Sequence, residues 1–115
     1  MDHAYKGSLL LLWIRGKRMK SLTILGRRWF QPTNGNTYFS ASALIDGAPV
    51  SSIDRCYGYG SAYEWEMFCK LQREGLIADV EQYPHSSGES PWRWCERHKV
   101  TYHTDVVDVQ RKKDL

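Results

Sequence analysis

The sequence lacks any apolar stretch long enough to cross a bilayer as a helix. Its longest apolar run, Leu9 to Ile14, is six residues, against the ~20 that a spanning helix needs. Arg15, Lys17 and Arg18 follow that run, whereas a secretory signal carries its positive charge ahead of the apolar segment. Cysteine is scarce: Cys56, Cys69 and Cys95 are an odd set without framework spacing, which argues against a disulfide scaffold and for a reduced, cytoplasmic protein. Cys95 and His98 form a lone C-x2-H with no second pair to complete a zinc site, so no metal and no cofactor are expected. Charge of one sign is also lacking. The 16 basic and 13 acidic residues leave a net +3, too little for a protein that coats nucleic acid, but suited to a small anion or an acidic protein partner. There is no P-loop, no H-E-x-x-H and no G-x-S-x-G, so the reading is binding rather than catalysis: not an enzyme. No repeat or low-complexity tract occurs.

What the chain has in quantity is aromatic rings: five Trp, seven Tyr and three Phe in 115 residues, residue types favoured in cores, interfaces and ligand sites. The length is that of one domain. Met19 precedes the first convincing strand, so residues 1–18 read as an N-terminal extension outside the fold and 19–115 as a single domain. Lys20 to Phe30 reads as a strand, Asn34-Gly35 as a hairpin turn and Thr37 to Ile45 as the returning strand. On that strand Thr37, Phe39, Ala41, Ala43 and Ile45 share one face, and Tyr38, Ser40, Ser42 and Leu44 the other. Asp46-Gly47 turns the chain into a third strand, Val50 to Tyr57, with Ile53, Arg55 and Tyr57 on one side. Ser61 to Glu74 reads as a helix with a Ser61/Glu64 capping box, an apolar stripe of Trp65, Phe68 and Cys69, and Gly75 after its end. A polar loop from Asp79 to Glu89 leads to a short helix capped by Ser90 and opened by Pro91. In it Trp92 is expected to pack inward and Trp94 to lie nearer the surface. Val100 to Val109 alternates and reads as a last strand, with Val100, Tyr102, Thr104 and Val106 on one face. The fold class is α+β: a small antiparallel sheet, a three-stranded meander plus a C-terminal strand, with two helices on one face.

Function is concentrated around Tyr57-Gly58-Tyr59-Gly60-Ser61, a glycine-rich strand-to-helix turn. Glycines permit a tight turn and close approach, and a helix N-terminus attracts phosphate or carboxylate. Tyr57 and Tyr59 border the turn, Arg55 precedes it, and Arg27 and Arg28 come from the first strand. This pattern fits a phosphate-bearing ligand such as a nucleotide; a locally packed turn fits it too. Trp92-Arg93-Trp94 interleaves rings and cations, as in surfaces that stack bases and in protein interfaces. Asp105 and Asp108 bracket two valines and read either as a carboxylate pair or as a solvated strand end.

Five segments resemble a family of small phage and prophage proteins, along a likeness running from Met19 to the C-terminus. They are Gly26-Arg27-Arg28-Trp29-Phe30, Asn34-Gly35-Asn36-Thr37-Tyr38, Tyr57-Gly58-Tyr59-Gly60, Trp92-Arg93-Trp94-Cys95-Glu96 and Asp108-Val109-Gln110-Arg111. The family resembled is the first type of phage Thoeris anti-defence protein, which sequesters cyclic ADP-ribose isomers made by bacterial TIR-domain enzymes without cleaving them. The resemblance implies a homo-oligomer, a dimer or higher, in the host bacterial cytoplasm. It implies that Arg28, Arg55 and Arg111 engage pyrophosphate or ribose and that Tyr83 or an aromatic near Trp92 stacks on adenine, with Arg111 supplied by a neighbouring chain. The segment Glu89 to Trp94 lacks the asparagine expected there for base or ribose. Two other readings are an inhibitor that blocks a host defence enzyme or CRISPR effector by direct protein contact, and a small nucleic-acid-binding phage protein.

Overall fold

Asn34-Gly35 and Asp46-Gly47 fold three consecutive strands onto one another, and the rest of the domain is built on that meander. The computed structural model describes residues 13–14, 17–82 and 88–115; Tyr83 and most of the run from Leu9 to Ile14 lie outside the described residues. A short antiparallel pair, β1 (Trp13–Ile14) and β2 (Lys17–Arg18), precedes the meander. The meander is β3 (Ser21–Gln31), β4 (Asn36–Ile45) and β5 (Ala48–Tyr57). Helix α1 (Ala62–Arg73), helix α2 (Pro91–Arg97) and strand β6 (Thr101–Asp108) follow. Met19 is buried in the common core.

β3 and β4 pair without interruption from Leu22 opposite Ile45 to Gln31 opposite Asn36. The next turn is fastened by the Asp46 carboxylate, which accepts from the N–H groups of Lys20 and Ser21 at 2.8 and 2.9 Å. β4 and β5 pair with two irregularities. An extra residue in one strand shifts every later side chain to the other face, so Ile53 meets Ala41 and Cys56 meets Phe39, while Tyr57 meets Tyr38 on the opposite face. Ile53 and Tyr57 therefore do not share a side, contrary to simple alternation.

The sheet order is β5-β4-β3-β6, and β6 runs parallel to β3. The α+β class is as the sequence implies, with a mixed sheet: the two helices carry the chain back along one face, so the last strand enters in the direction of β3. The helix-facing side presents Leu22, Ile24, Phe39, Ala41, Ala43 and Ile45, all buried. Against them pack Tyr63, Met67, Phe68 and Leu71 from α1 and Trp94 and Cys95 from α2.

Two helix faces differ from the sequence reading. On α1 the buried seam is Tyr63, Met67, Phe68 and Leu71, whereas Trp65 and Cys69 are half-buried. The rotation has a local cause: Gly26 leaves a hollow on β3 that the Tyr63 ring fills, and its hydroxyl reaches Thr104 Oγ1 at 2.8 Å. On α2 the buried stripe is Pro91, Trp94 and Cys95, the i, i+3, i+4 spacing of a helix face once proline is counted as apolar. Trp94 is therefore the buried ring, 0% exposed, with Nε1 donating to Ala78 O at 2.8 Å. Trp92 is 52% exposed, under the Arg93 guanidinium at 5.6 Å.

The Gly26 hollow yields a direct test. A Cβ there would meet Tyr63 Cδ2 at 2.6 Å, closer than real side chains approach, so Gly26→Ala forces the ring or the strand aside. The expected loss is about 1–3 kcal/mol, read as a lower urea midpoint at unchanged slope.

Candidate functional site

Beyond the N-terminal end of α1 the helix-bearing face of the sheet is left uncovered, and a cleft of about 570 Å³ opens there. Its floor and walls come from Arg28 and Phe30 on β3, Thr37 on β4, the Tyr59-Gly60 loop, and Asp108 to Gln110 after β6. Register explains the grouping. Arg28 lies opposite Phe39 and beside Asp108, and Phe30 lies opposite Thr37, so all share the helix-facing side.

Arg28 is the cationic centre. Its Nε donates to Asp108 Oδ1 at 3.0 Å and its Nη1 to Gly60 O at 3.3 Å. Nη2 makes no hydrogen bond among the described residues. Asp108 is 74% exposed against 27% for Arg28, so the carboxylate is a solvated partner that an incoming anion can replace at little cost. Phe30 and Tyr59 are 56% and 60% exposed and supply two ring faces beside the guanidinium. Tyr59 is held by a 2.6 Å hydroxyl contact with Tyr57. That hydrogen bond is the main cause of a Tyr57 pKa above its usual value.

The glycine turn itself is explained by packing. A Cβ on Gly58 would meet Ala62 Cβ at 2.8 Å and the Phe39 ring at 3.0 Å, and Gly60 has φ +58°. Ser61 makes no side-chain cap, and the amides of Ala62 and Glu64 already bond Tyr59 O and Ser61 O. Glu64 serves elsewhere, accepting from Tyr102 at 2.6 Å. The anion-attracting group in this region is thus the Arg28 side chain rather than the helix start.

Of the candidates named from the sequence, Arg28 and Tyr59 line this cleft and Tyr57 adjoins it through its hydroxyl. Arg55 is exposed on β5, Trp92 is exposed on α2, and neither lines a described cleft. Arg111 bonds Asp114 at 3.1 Å within the C-terminal turn. Phe30, Thr37 and Gln110 were not singled out by sequence; the signal for Phe30 was its parity with Arg28 along β3.

A second groove, about 390 Å³, crosses the open face of the sheet between Leu25, Arg27, Ser40, Ser42, Asp54, Asp105 and Leu115. Arg27 there donates to Asp114 O at 3.2 Å, and its single cation stands among two carboxylates, Asp54 and Asp105, a balance unfavourable to an anion. A third polar centre is structural. Arg97 bonds Glu89 at 2.6 and 2.8 Å and Asp79 at 3.1 Å, and His98 Nε2 lies 3.3 Å from Asp79. Glu89 is 2% exposed, and its hydrogen bonds from Arg97 hold its carboxyl below the usual range. Burial pushes the Cys95 thiol up to about 12, so it carries no thiolate at neutral pH. Among the described residues no group of three or more His, Cys, Asp or Glu could hold a metal ion, and no helix is long and apolar enough to cross a membrane.

The chain matches no protein-family model, no curated protein and no solved structure.

Proposed function

We propose that the protein binds a small nucleotide-like anion in the Arg28 cleft and holds it without cleaving it. The observation that carries this reading is the pairing of one guanidinium, held by an exposed and displaceable Asp108, with the exposed rings of Phe30 and Tyr59 in a single cleft. A phosphate would take the bidentate face of Arg28 while a base stacks on an adjacent ring. The volume suits a ligand of that size. The resemblance noted above makes cyclic ADP-ribose isomers the first ligands of choice and a phage anti-defence sponge, acting as an oligomer in the host cytoplasm, the biological role.

The test is the melting temperature of the purified protein against ADP-ribose, cyclic ADP-ribose isomers, cyclic di- and trinucleotides and short DNA. A ligand at ~100 times its Kd adds about 2.7 kcal/mol. With the ligand so found, Arg28→Ala weakens binding about 10- to 100-fold. Asp108→Asn, which frees the guanidinium, tightens it about 2- to 5-fold. Calorimetric titration reads both, and equal weakening by the two variants would remove the site assignment. A ligand recovered chemically changed after heating the complex would mark an enzyme instead.

A protein-blocking role is the second reading, favoured by one observation. Across the open sheet face Trp29 stacks on Tyr38, and Tyr57 meets Tyr38 edge-on, with ring centroids 6.0 and 5.8 Å apart, an aromatic surface of the kind that anchors protein partners. That reading predicts no melting shift with any small molecule in the panel.

A further inference from the structure

The two outer strands of the sheet are guarded very differently. β5 carries Pro49 and two breaks in its pairing, both devices that stop a further strand from adding. β6 has neither proline, lysine nor bulge; it pairs with β3 residue for residue, and six of its eight residues are exposed. Its hydrogen bonds fix which groups point outward. Thr101 N–H donates to Lys20 O at 2.9 Å and Val109 N–H to Arg28 O at 2.7 Å, so odd-numbered residues turn their backbone groups towards β3. Tyr102, Thr104, Val106 and Asp108 therefore direct N–H and C=O away from the sheet. Among the described residues none of these outward groups bonds another strand. The Val106 N–H is occupied locally, by its neighbour Asp105 at 2.9 Å.

We propose that β6 is a self-pairing edge: a second copy of the chain adds its own β6 antiparallel to the first, about a two-fold axis through Thr104. The register follows from chemistry. A two-fold axis normal to the sheet keeps like faces together, so facing residues have the same parity and the axis passes through a residue. Centring on Asp105 sets two carboxylates against each other, which is destabilising. Centring on His103 sets the two imidazoles against each other and shortens the overlap. Centring on Thr104 puts His103 opposite Asp105 of the second copy, twice, and Tyr102 opposite Val106, twice. It makes the Thr104 pair a mutually hydrogen-bonded one, as the outward direction of its backbone groups requires. Pairing also exchanges one bond for another: the Val106 N–H passes from Asp105 to a backbone carbonyl, and the released carboxylate meets the facing His103. The isologous geometry closes at two copies and doubles the four-stranded sheet. It does not depend on the ligand reading, since the Arg28 cleft draws on β6 only at its last residue, Asp108.

Sedimentation velocity of the full chain should show a dimer. Thr104→Pro removes the central N–H without touching the β3 ladder, and should weaken the dimer at least ~10-fold relative to Thr104→Val, which loses the same Oγ1 contact with Tyr63 but keeps the N–H. His103→Glu should weaken it through repulsion by Asp105, and His103→Glu combined with Asp105→Lys should restore it by setting opposite charges across the seam. Under mild oxidation Thr104→Cys should give a dimer linked through residue 104, the position that meets its own copy at a bridgeable ~5.5 Å; His103→Cys should not. A native monomer overturns the proposal, including one whose edge takes up an unrelated strand. A dimer indifferent to His103→Glu, or not restored by adding Asp105→Lys, overturns it as well, and these variants decide the matter if Thr104→Pro fails to fold.

Discussion

Trp94→Ala is expected to lower the unfolding free energy by about 3–5 kcal/mol, whereas Trp92→Ala, two residues away, should change it by no more than about 0.5 kcal/mol. The contrast follows from burial. Trp94 is fully enclosed, edge-on to Phe68 at 6.0 Å and 4.5 Å from the His98 ring, and its indole N–H satisfies Ala78 O. Truncation empties the largest fully buried side-chain volume of the core and leaves that carbonyl unpaired. Trp92 loses only a half-solvated ring and one cation–π contact. A domain of this size has about 5–15 kcal/mol to lose, so Trp94→Ala removes a large share of that margin. Urea unfolding followed by circular dichroism reads both variants, and similar midpoints for the two would contradict the packing of α2.

Arg97→Ala is the second large effect expected, at about 3 kcal/mol. That is the low end for breaking a buried pair, because the Arg97 side chain is itself 31% exposed. Arg97 ties Glu89, Asp79 and Glu81 together, and it also donates to the Asp79 carbonyl. Removing it leaves Glu89 charged, enclosed and short of donors; one remaining donor is the Glu81 N–H at 3.1 Å. Acid supplies the check. The folded Glu89 carboxyl titrates below its unfolded value of about 4.3, so its stabilisation is complete above that pH and is lost as pH falls through the depressed folded value. The melting temperatures of native and variant protein should therefore lie far apart at pH 7 and converge towards pH 3. A gap that stays constant would assign the effect to packing instead of charge.

The parts legible in the sequence were those set by local rules. Alternation gave both faces of β4 and β6 correctly, and Asn34-Gly35, Asp46-Gly47, Ser90-Pro91 and Gly75 marked boundaries through backbone geometry alone. The parts that were not legible depend on a partner distant in sequence. Which face of α1 is buried depends on the hollow at Gly26, some 37 residues from Tyr63. The inward turn of Trp94 depends on counting Pro91 as a core residue. The direction of β6 depends on which way two helices cross the sheet. At the cleft, Arg28 and Tyr59 carried a readable signal of charge and ring. Asp108, which controls whether Arg28 is available, comes from 80 positions later, and no spacing rule connects the two.

The parallel seam between β3 and β6 also sets an order of events as the chain leaves the ribosome. β3 to β5 and α1 can assemble from neighbouring segments, but the outer side of β3 finds its partner only once Thr101–Asp108 has emerged. Until then β3 is an open template carrying Leu22 and Ile24, the kind of unpaired edge through which nascent chains aggregate. Joining segments so far apart is also slow. The arrival of β6 therefore closes the exposed edge of β3 and passes the outer position of the sheet to a strand with six exposed residues.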